Sequence, residues 1–243
     1  MNQSLAALNQ FNMTFDGYLG ELTLPGVDWQ YFIERRKATL QQEPDLPAYL
    51  LLPEVEQLLV VTKDQTRHFL LNTLFHTGAR ISEVLALTKE DFHLDGKYPE
   101  ISIQSAKQGR GRPSEKAKKR AKRRLIPVLD GDYIDEALRY FATNKGAKKA
   151  PLFTVTRKTA YCWIKDAVKA LNDEDVELSI DVTPHTIRHS FAVNSVLHWV
   201  PVPVLQSWLG HENREMTEIY TRIFQTETVH FMGRVEYKSG LIK

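Results

Sequence analysis

The sequence predicts a mainly α domain carrying a small antiparallel β-sheet. Apolar residues recur at three- and four-residue spacing in one stretch after another, and two short apolar runs flank a strongly basic segment as the arms of a hairpin would. The length of 243 residues, with 42% hydrophobic and 10% aromatic side chains, supplies the core of one ordinary domain plus a small extension and excludes a wholly disordered chain.

Residues 1–46 read as a separate short extension. Gly17, Gly20, Pro25 and Gly26 break its first half, a short polar helix follows over 29–42, and Pro44 and Pro47 close it, which puts the domain boundary near residue 47. Pro53 in a first helical turn, with Glu54 and Glu56 at the positive end of the dipole, then opens a helix through Leu58, Leu59 and Val60. Phe69, Leu70, Leu74 and Phe75, followed by Ile81, Val84 and Leu85, keep helical spacing across a break at Gly78, so two helices with a tight joint are expected. Ile101 and Ile103 alternate with polar residues over 100–105, and 124–129 is a second apolar run; pairing the two makes a hairpin with the basic segment at its tip. Further helices are expected over 133–143, 158–171, 185–197, 202–209 and 217–224, the last with Ile219, Ile223 and Phe224 on one side. The main domain thus spans 47–243, with a basic insert at about 107–124 and a tail at 225–243.

A single cysteine, Cys162, cannot form an intrachain disulfide, so the expected compartment is the cytoplasm. No apolar run approaches the roughly 18 to 20 residues that span a bilayer, and the first residues lack the basic flank of a signal peptide; neither membrane insertion nor export is expected. Net charge is only +2, but its distribution is uneven. Lys107, Arg110, Arg112, Lys116, Lys118, Lys119, Arg120, Lys122, Arg123 and Arg124 face the lone acid Glu115 within one segment. Like charges so crowded repel unless a polyanion is near, and nucleic acid phosphate is the commonest one. The plainer alternative is a basic loop that merely faces water.

Four local patterns carry chemistry-bearing residues. They are His76-Thr77-Gly78-Ala79-Arg80-Ile81-Ser82-Glu83, Lys107 in the hairpin, Thr183-Pro184-His185-Thr186-Ile187-Arg188-His189-Ser190-Phe191, and Leu209-Gly210-His211 with Tyr220 nine residues beyond. Taken singly, Arg80 reads as a surface charge, His185 as a polar residue at a helix start, and Tyr220 as a core aromatic beside Ile219 and Ile223.

Together they resemble the tyrosine recombinase (phage integrase) family, whose active-site order is arginine, hairpin lysine, His-x-x-Arg, Leu-Gly-His and tyrosine. The resemblance covers about residues 50–224, and order, local environment and the step from His211 to Tyr220 all agree. It implies the integrase-type catalytic fold. It also implies that Arg80 and Arg188 bind phosphate, that Lys107 is the hairpin lysine, that His185 and His211 are the active-site histidines, that Tyr220 is the nucleophile and that Glu83 supports the site from behind. The activity implied is site-specific DNA recombination through a 3′-phosphotyrosine, later attacked by a 5′ hydroxyl of a partner strand. The implied partner is double-stranded DNA with paired recombination sites, bound by a homotetramer, with an accessory DNA-bending protein as a further candidate and no cofactor.

These residue types suit that chemistry. Attack on a phosphodiester builds negative charge on non-bridging oxygens, which two guanidinium groups can grip bidentately. A phenol with an ordinary pKa near 10 needs a proton acceptor, for which His185 is the first choice, with His189 a structural hydrogen-bonding residue. The departing 5′ oxygen needs a proton, which lysine can give and arginine rarely does. His185 and His189 are also spaced to face a metal, but HTIRH lacks the glutamate of HExxH and places an arginine between the pair, so no metal site is expected.

Two features depart from the family pattern. About 46 residues precede the catalytic domain, fewer than the family's usual DNA-clamping domain, and the lysine turn is stretched between Lys107-Gln108-Gly109 and 123–127. Competing readings are a DNA-relaxing topoisomerase or hairpin-forming telomere resolvase using the same residues, and a catalytically silent DNA-binding protein of this fold.

Overall fold

A computed structural model describes residues 27–105, 123–174, 176, 178 and 180–227. Side-chain caps set where most of its helices begin. Asp28 accepts from the Tyr31 backbone N–H to open α1 (Trp29–Gln42), and Glu54 reaches back to the Leu51 N–H at the start of α2 (Leu52–Val61), where Pro53 supplies a ready-made helical φ. Asp64 caps α3 (Gln65–Thr77), which ends on Gly78 in the left-handed conformation (φ 55°). Two residues later Arg80 is the N-cap of the short α4 (Ile81–Val84).

A 3₁₀ turn, Lys89–Asp91, leads into β1 (Phe92–His93), β2 (Glu100–Gln104) and β3 (Arg123–Pro127). They form an antiparallel sheet in the order β1-β2-β3, with Ile101 opposite Ile126 and Ile103 opposite Arg124. The helices α5 (Gly131–Thr143), α6 (Arg157–Asp173) and α7 (Pro184–Leu197) follow, capped by Asp130, Thr156 and Thr183. Next come α8 (Val202–Leu209), stopped by left-handed Gly210 (φ 65°), then α9 (Glu215–Glu218) and a 3₁₀ helix, Ile219–Glu227.

The mainly helical architecture with its small antiparallel sheet agrees with expectation. Three details differ. The two-residue β1 and its 3₁₀ turn were not expected, because two residues carry no alternation to read. The helix expected over 217–224 is a four-residue α-turn continued as a 3₁₀ helix. With three residues per turn, Thr217, Tyr220 and Ile223 line up on one buried face, whereas an α-helix would have grouped Ile219 with Ile223. Lastly, α1 is joined to the rest by packing: Phe32 and Leu46 share a cluster with Tyr49, Val193, Leu205 and Tyr220, across the boundary expected near residue 47.

That cluster is the smaller of two. The larger centres on Phe69, whose ring lies 4.5 Å from that of Tyr140 and 5.7 Å from that of Phe153, and it reaches the sheet through Ile101, Ile103 and Ile126. Helix α7 serves both, giving Ile187 to the larger and Ala192, Val193 and Val196 to the smaller. The loops that end α3 and α8 meet this helix, and the three motifs that fall on described residues converge there.

Candidate active site

Arg188 is fixed by its neighbours' backbone. It is 4% exposed, and its guanidinium donates to the carbonyl of Gly78 at 2.5 Å and of Leu209 at 2.7 Å, the two helix ends that stop at left-handed glycines. Helix ends carry unpaired carbonyls, so this cation satisfies groups that burial would otherwise orphan. Burial and then the neighbouring Arg80 cation pull its pKa down to about 10, which still leaves it charged at neutral pH.

Arg80 sits at the N-cap of α4, its side chain 24% exposed. Its backbone N–H donates to Glu83 Oε2 at 2.9 Å, while its Nη1 lies 3.3 Å from Oε1. The Glu83 carboxylate, fully buried, is held mainly by Arg124: Nη2 to Oε2 is 2.6 Å and Nη1 to Oε1 is 3.2 Å.

Arg124 therefore differs from its expected place among the outward-facing cations of the basic segment. In β3 side chains alternate between faces; Arg124 and Ile126 point inward, while Arg123, Leu125 and Pro127 point out. The parity was readable, since Arg124, Ile126 and Val128 alternate in sequence. Arg123, at the outer face, pairs with Asp91. Lys107, Arg110, Arg112, Lys116, Lys118, Lys119, Arg120 and Lys122 lie outside the described residues, as does the tail beyond 227.

Tyr220 is 2% exposed, and its hydroxyl lies 2.7 Å from His189 Nδ1. This corrects the choice of His185 as the phenol's partner. Both histidines lie on one face of α7, their rings 6.4 Å apart, but His189 is one turn further in and meets the 3₁₀ helix that carries Tyr220. The spacing in HTIRH placed both rings on that face; which turn faces the tyrosine depends on packing over 31 residues of separation. Burial, then His185 and Arg188, push the His189 pKa down to about 4, so the ring is neutral at pH 7. Burial pushes Tyr220 up to about 12, against the pull of Arg188. With the ring proton on Nε2, the phenol donates to Nδ1.

His211 follows Gly210 and its Nδ1 is 2.9 Å from Thr217 Oγ1; burial, then Arg188 and Arg80, lower its pKa to about 4. His185 is also lowered, by burial and then by Arg188 and Arg80. Arg188 thus acts electrostatically on Tyr220 and on all three histidines, which gathers the described members of the constellation into one site. Among the described residues, no group of three or more His, Cys, Asp or Glu is placed to hold a metal ion.

The sequence matches the model of the phage integrase family over residues 49–227. The chain belongs to that family, the tyrosine recombinases. Among its relatives, a probable site-specific recombinase in the afa region of Escherichia coli is 39% identical over 203 residues, covering 82% of this chain and 80% of the relative. A resolvase from Escherichia coli is 37% identical over 217 residues, covering 82% of each. The tyrosine recombinase fold is seen too in the crystal structure of XerA recombinase, with a TM-score of 0.58 at 22% identity over 79% of this chain and 67% of that one. XerH recombinase bound to its difH substrate before cleavage gives a TM-score of 0.56 at 21% identity over 77% of this chain and 53% of that one. No helix among the described residues is long and apolar enough to cross a membrane.

Proposed function

We propose that Tyr220 attacks a DNA phosphate held by Arg80 and Arg188, leaving the strand joined to the protein as a 3′-phosphotyrosine. The enzyme class is that of the family: a tyrosine recombinase, which breaks and rejoins DNA strands at specific sites. The observation that carries the residue assignment is the Tyr220 hydroxyl on His189 Nδ1 at 2.7 Å, within the electrostatic reach of Arg188.

In the reaction the phenol proton passes to His189 Nδ1 as Oη bonds to phosphorus, and the 5′ oxygen departs with a proton from Lys107. A neutral imidazole can accept that proton, whereas an imidazolium cannot. Incoming phosphate offsets the positive field of Arg188, one of the causes that keep His189 a weak base, so substrate binding favours the transfer. Charge that develops on the non-bridging oxygens meets Arg80 and Arg188, the latter already fixed in direction by the carbonyls of Gly78 and Leu209. His211 lies beside them as a phosphate hydrogen-bond donor through Nε2, since Nδ1 is engaged by Thr217. The bond energy stays in the tyrosyl ester, so rejoining to a 5′ hydroxyl requires no nucleotide.

The substrate class is double-stranded DNA with paired recombination sites, worked on by a homotetramer with or without a DNA-bending protein. The XerH complex with difH supports DNA as the partner, and the name of the Escherichia coli relative from the afa region, a probable site-specific recombinase, supports recombination of specific sites. The basic segment would add sequence-independent phosphate contacts. A nicked suicide duplex tests the reading: the parent chain should trap a covalent adduct, and Tyr220→Phe should bind the duplex and trap none. An adduct of normal yield from Tyr220→Phe would exclude Tyr220 as nucleophile.

A further inference from the structure

Three cations and one carboxylate share the floor of the site. Glu83 Oε2 accepts from the Arg80 backbone N–H at 2.9 Å and from Arg124 Nη2 at 2.6 Å; Oε1 accepts from Arg124 Nη1 at 3.2 Å and, more distantly, from Arg80 Nη1 at 3.3 Å. Of these two arginines, Arg124 makes the shorter charged contact to the carboxylate. Arg124 is itself locked, with Nε on the Trp208 carbonyl at 2.6 Å, Nη1 3.4 Å from Ser105 Oγ, and its side chain close to Gly210, where a Cβ would lie 3.2 Å from Nη1. At 6% exposure it is buried away from any DNA backbone.

We infer that Arg124 is a positioning residue for strand cleavage: by holding both oxygens of the Glu83 carboxylate it limits Arg80 to one long contact there, through Nη1, and leaves the other donors of that guanidinium for the scissile phosphate. The inference rests on the reading of Arg80 as a phosphate ligand. A buried carboxylate left without its cation is costly, and among the described residues the other cation shown in contact with Glu83 is Arg80, through Nη1 at 3.3 Å. Captured by Glu83, Arg80 would turn its donors inward, with its charge offset by the carboxylate. With Arg124 present, Arg80, Arg124 and Arg188 against Glu83 leave an excess of two positive charges, which matches a phosphorane transition state carrying two negative ones. Arg124 also links β3, the end of β2 at Ser105, α4 and the end of α8 just before His211, so it ties the hairpin to the phosphate site.

The test is single-turnover cleavage of the suicide duplex at saturating protein, with the scissile phosphate normal or replaced by a methylphosphonate, whose transition state carries one negative charge fewer. Arg124→Met should cleave the normal phosphate about 100-fold or more slowly, with DNA affinity and its salt dependence unchanged. On the methylphosphonate the gap to the parent should close to within about tenfold, as it should for Arg80→Ala. Glu83→Gln combined with Arg124→Met should recover at least about tenfold over Arg124→Met, because a neutral amide no longer captures Arg80. Arg124→Met at the parent rate overturns the inference. So does slow cleavage that neither the methylphosphonate nor Glu83→Gln relieves, the signature of a structural prop. If Arg124→Met does not fold, the double variant decides alone, and cleavage more than about tenfold below that of Glu83→Gln overturns the inference. A parent chain that traps no tyrosyl DNA overturns the proposed nucleophile as well, so the two failures are distinct.

Discussion

At the scale of single residues, the contact of most consequence is that between His189 and Tyr220. Burial alone makes this phenol a poorer acid than usual, pushed up to about 12, so a proton acceptor in contact with it matters more than it would at the surface. His189→Gln retains a hydrogen-bond acceptor of similar size but cannot take the proton. We expect it to fold within about 1 kcal/mol of the parent and to cleave a suicide duplex about 100-fold more slowly at pH 7. His189→Phe should lose cleavage too, and in addition about 1–3 kcal/mol of stability, because the Tyr220 hydroxyl is left buried without a partner. Urea unfolding and single-turnover kinetics measure the two effects; parent-like cleavage by His189→Gln with a large loss in His185→Gln would return the base to His185. Resemblance to the family pointed to Arg80, Arg188, His211 and Tyr220, and the structure collects those four around one centre. The contacts of His189 with Tyr220 and of Arg124 with Glu83 were not expected, because a residue's face within a helix or strand can be read from local parity, whereas the partner that meets that face belongs to a distant segment.

At the scale of elements, the glycine-terminated helix ends do the positioning. Gly78 ends α3 at φ 55°, and a Cβ there would lie 2.2 Å from the Phe191 ring of α7. Both the left-handed backbone and the close approach of α7 thus require glycine, and the carbonyl exposed by this turn is the one Arg188 holds. We expect Gly78→Ala to destabilise the protein by about 2–4 kcal/mol in urea unfolding, the sum of a strained φ and a displaced ring. Gly131→Ala is the control: it lies in the first turn of α5 with nothing within 4 Å of the added Cβ, and it should be neutral or slightly stabilising. Equal effects from both would mean that the α3–α7 joint can give way. Helix α1 lies where a short polar helix closed by Pro44 and Pro47 was expected, α8 lies over the expected 202–209, and the β2–β3 pairing followed from two apolar runs. The 3₁₀ helix did not, because Thr217, Tyr220 and Ile223 reveal a three-residue repeat only when it is known that all three are buried.

For the molecule as a whole, the site lies where two hydrophobic clusters share α7, and the segment bearing Tyr220 is tied to the N-terminal side through Arg222, which reaches Asp45 at 3.0 Å and Glu43 at 3.8 Å. Partners so far apart in sequence left no trace that composition or periodicity could show, which is why the first 46 residues read as separate. The same burial has a consequence for stability against pH. His189 and His211 are held neutral, with pKa values pushed from 6.5 down to about 4, and His185 is lowered in the same direction. As pH falls below about 6.5 the unfolded chain takes up protons at these positions before the folded chain does, so the unfolded state gains. Stability from this source is therefore complete above pH 6.5, declines as pH falls toward 4, and is lost once the folded-state values have been passed. Because both rings retain some contact with water, we expect on the order of 1 kcal/mol from each of His189 and His211, and a melting temperature roughly 4–8 °C lower near pH 4.5 than at pH 7.5. Carboxylates titrate in the lower part of this range, so the histidine share is read from variants: His189→Gln and His211→Gln should each flatten the profile between pH 6.5 and 5, where Asp and Glu remain ionised. A profile equally steep in both variants would place the neutral histidines elsewhere, and an unfolding curve that steepens only below pH 4.5 would assign the loss to carboxylates alone.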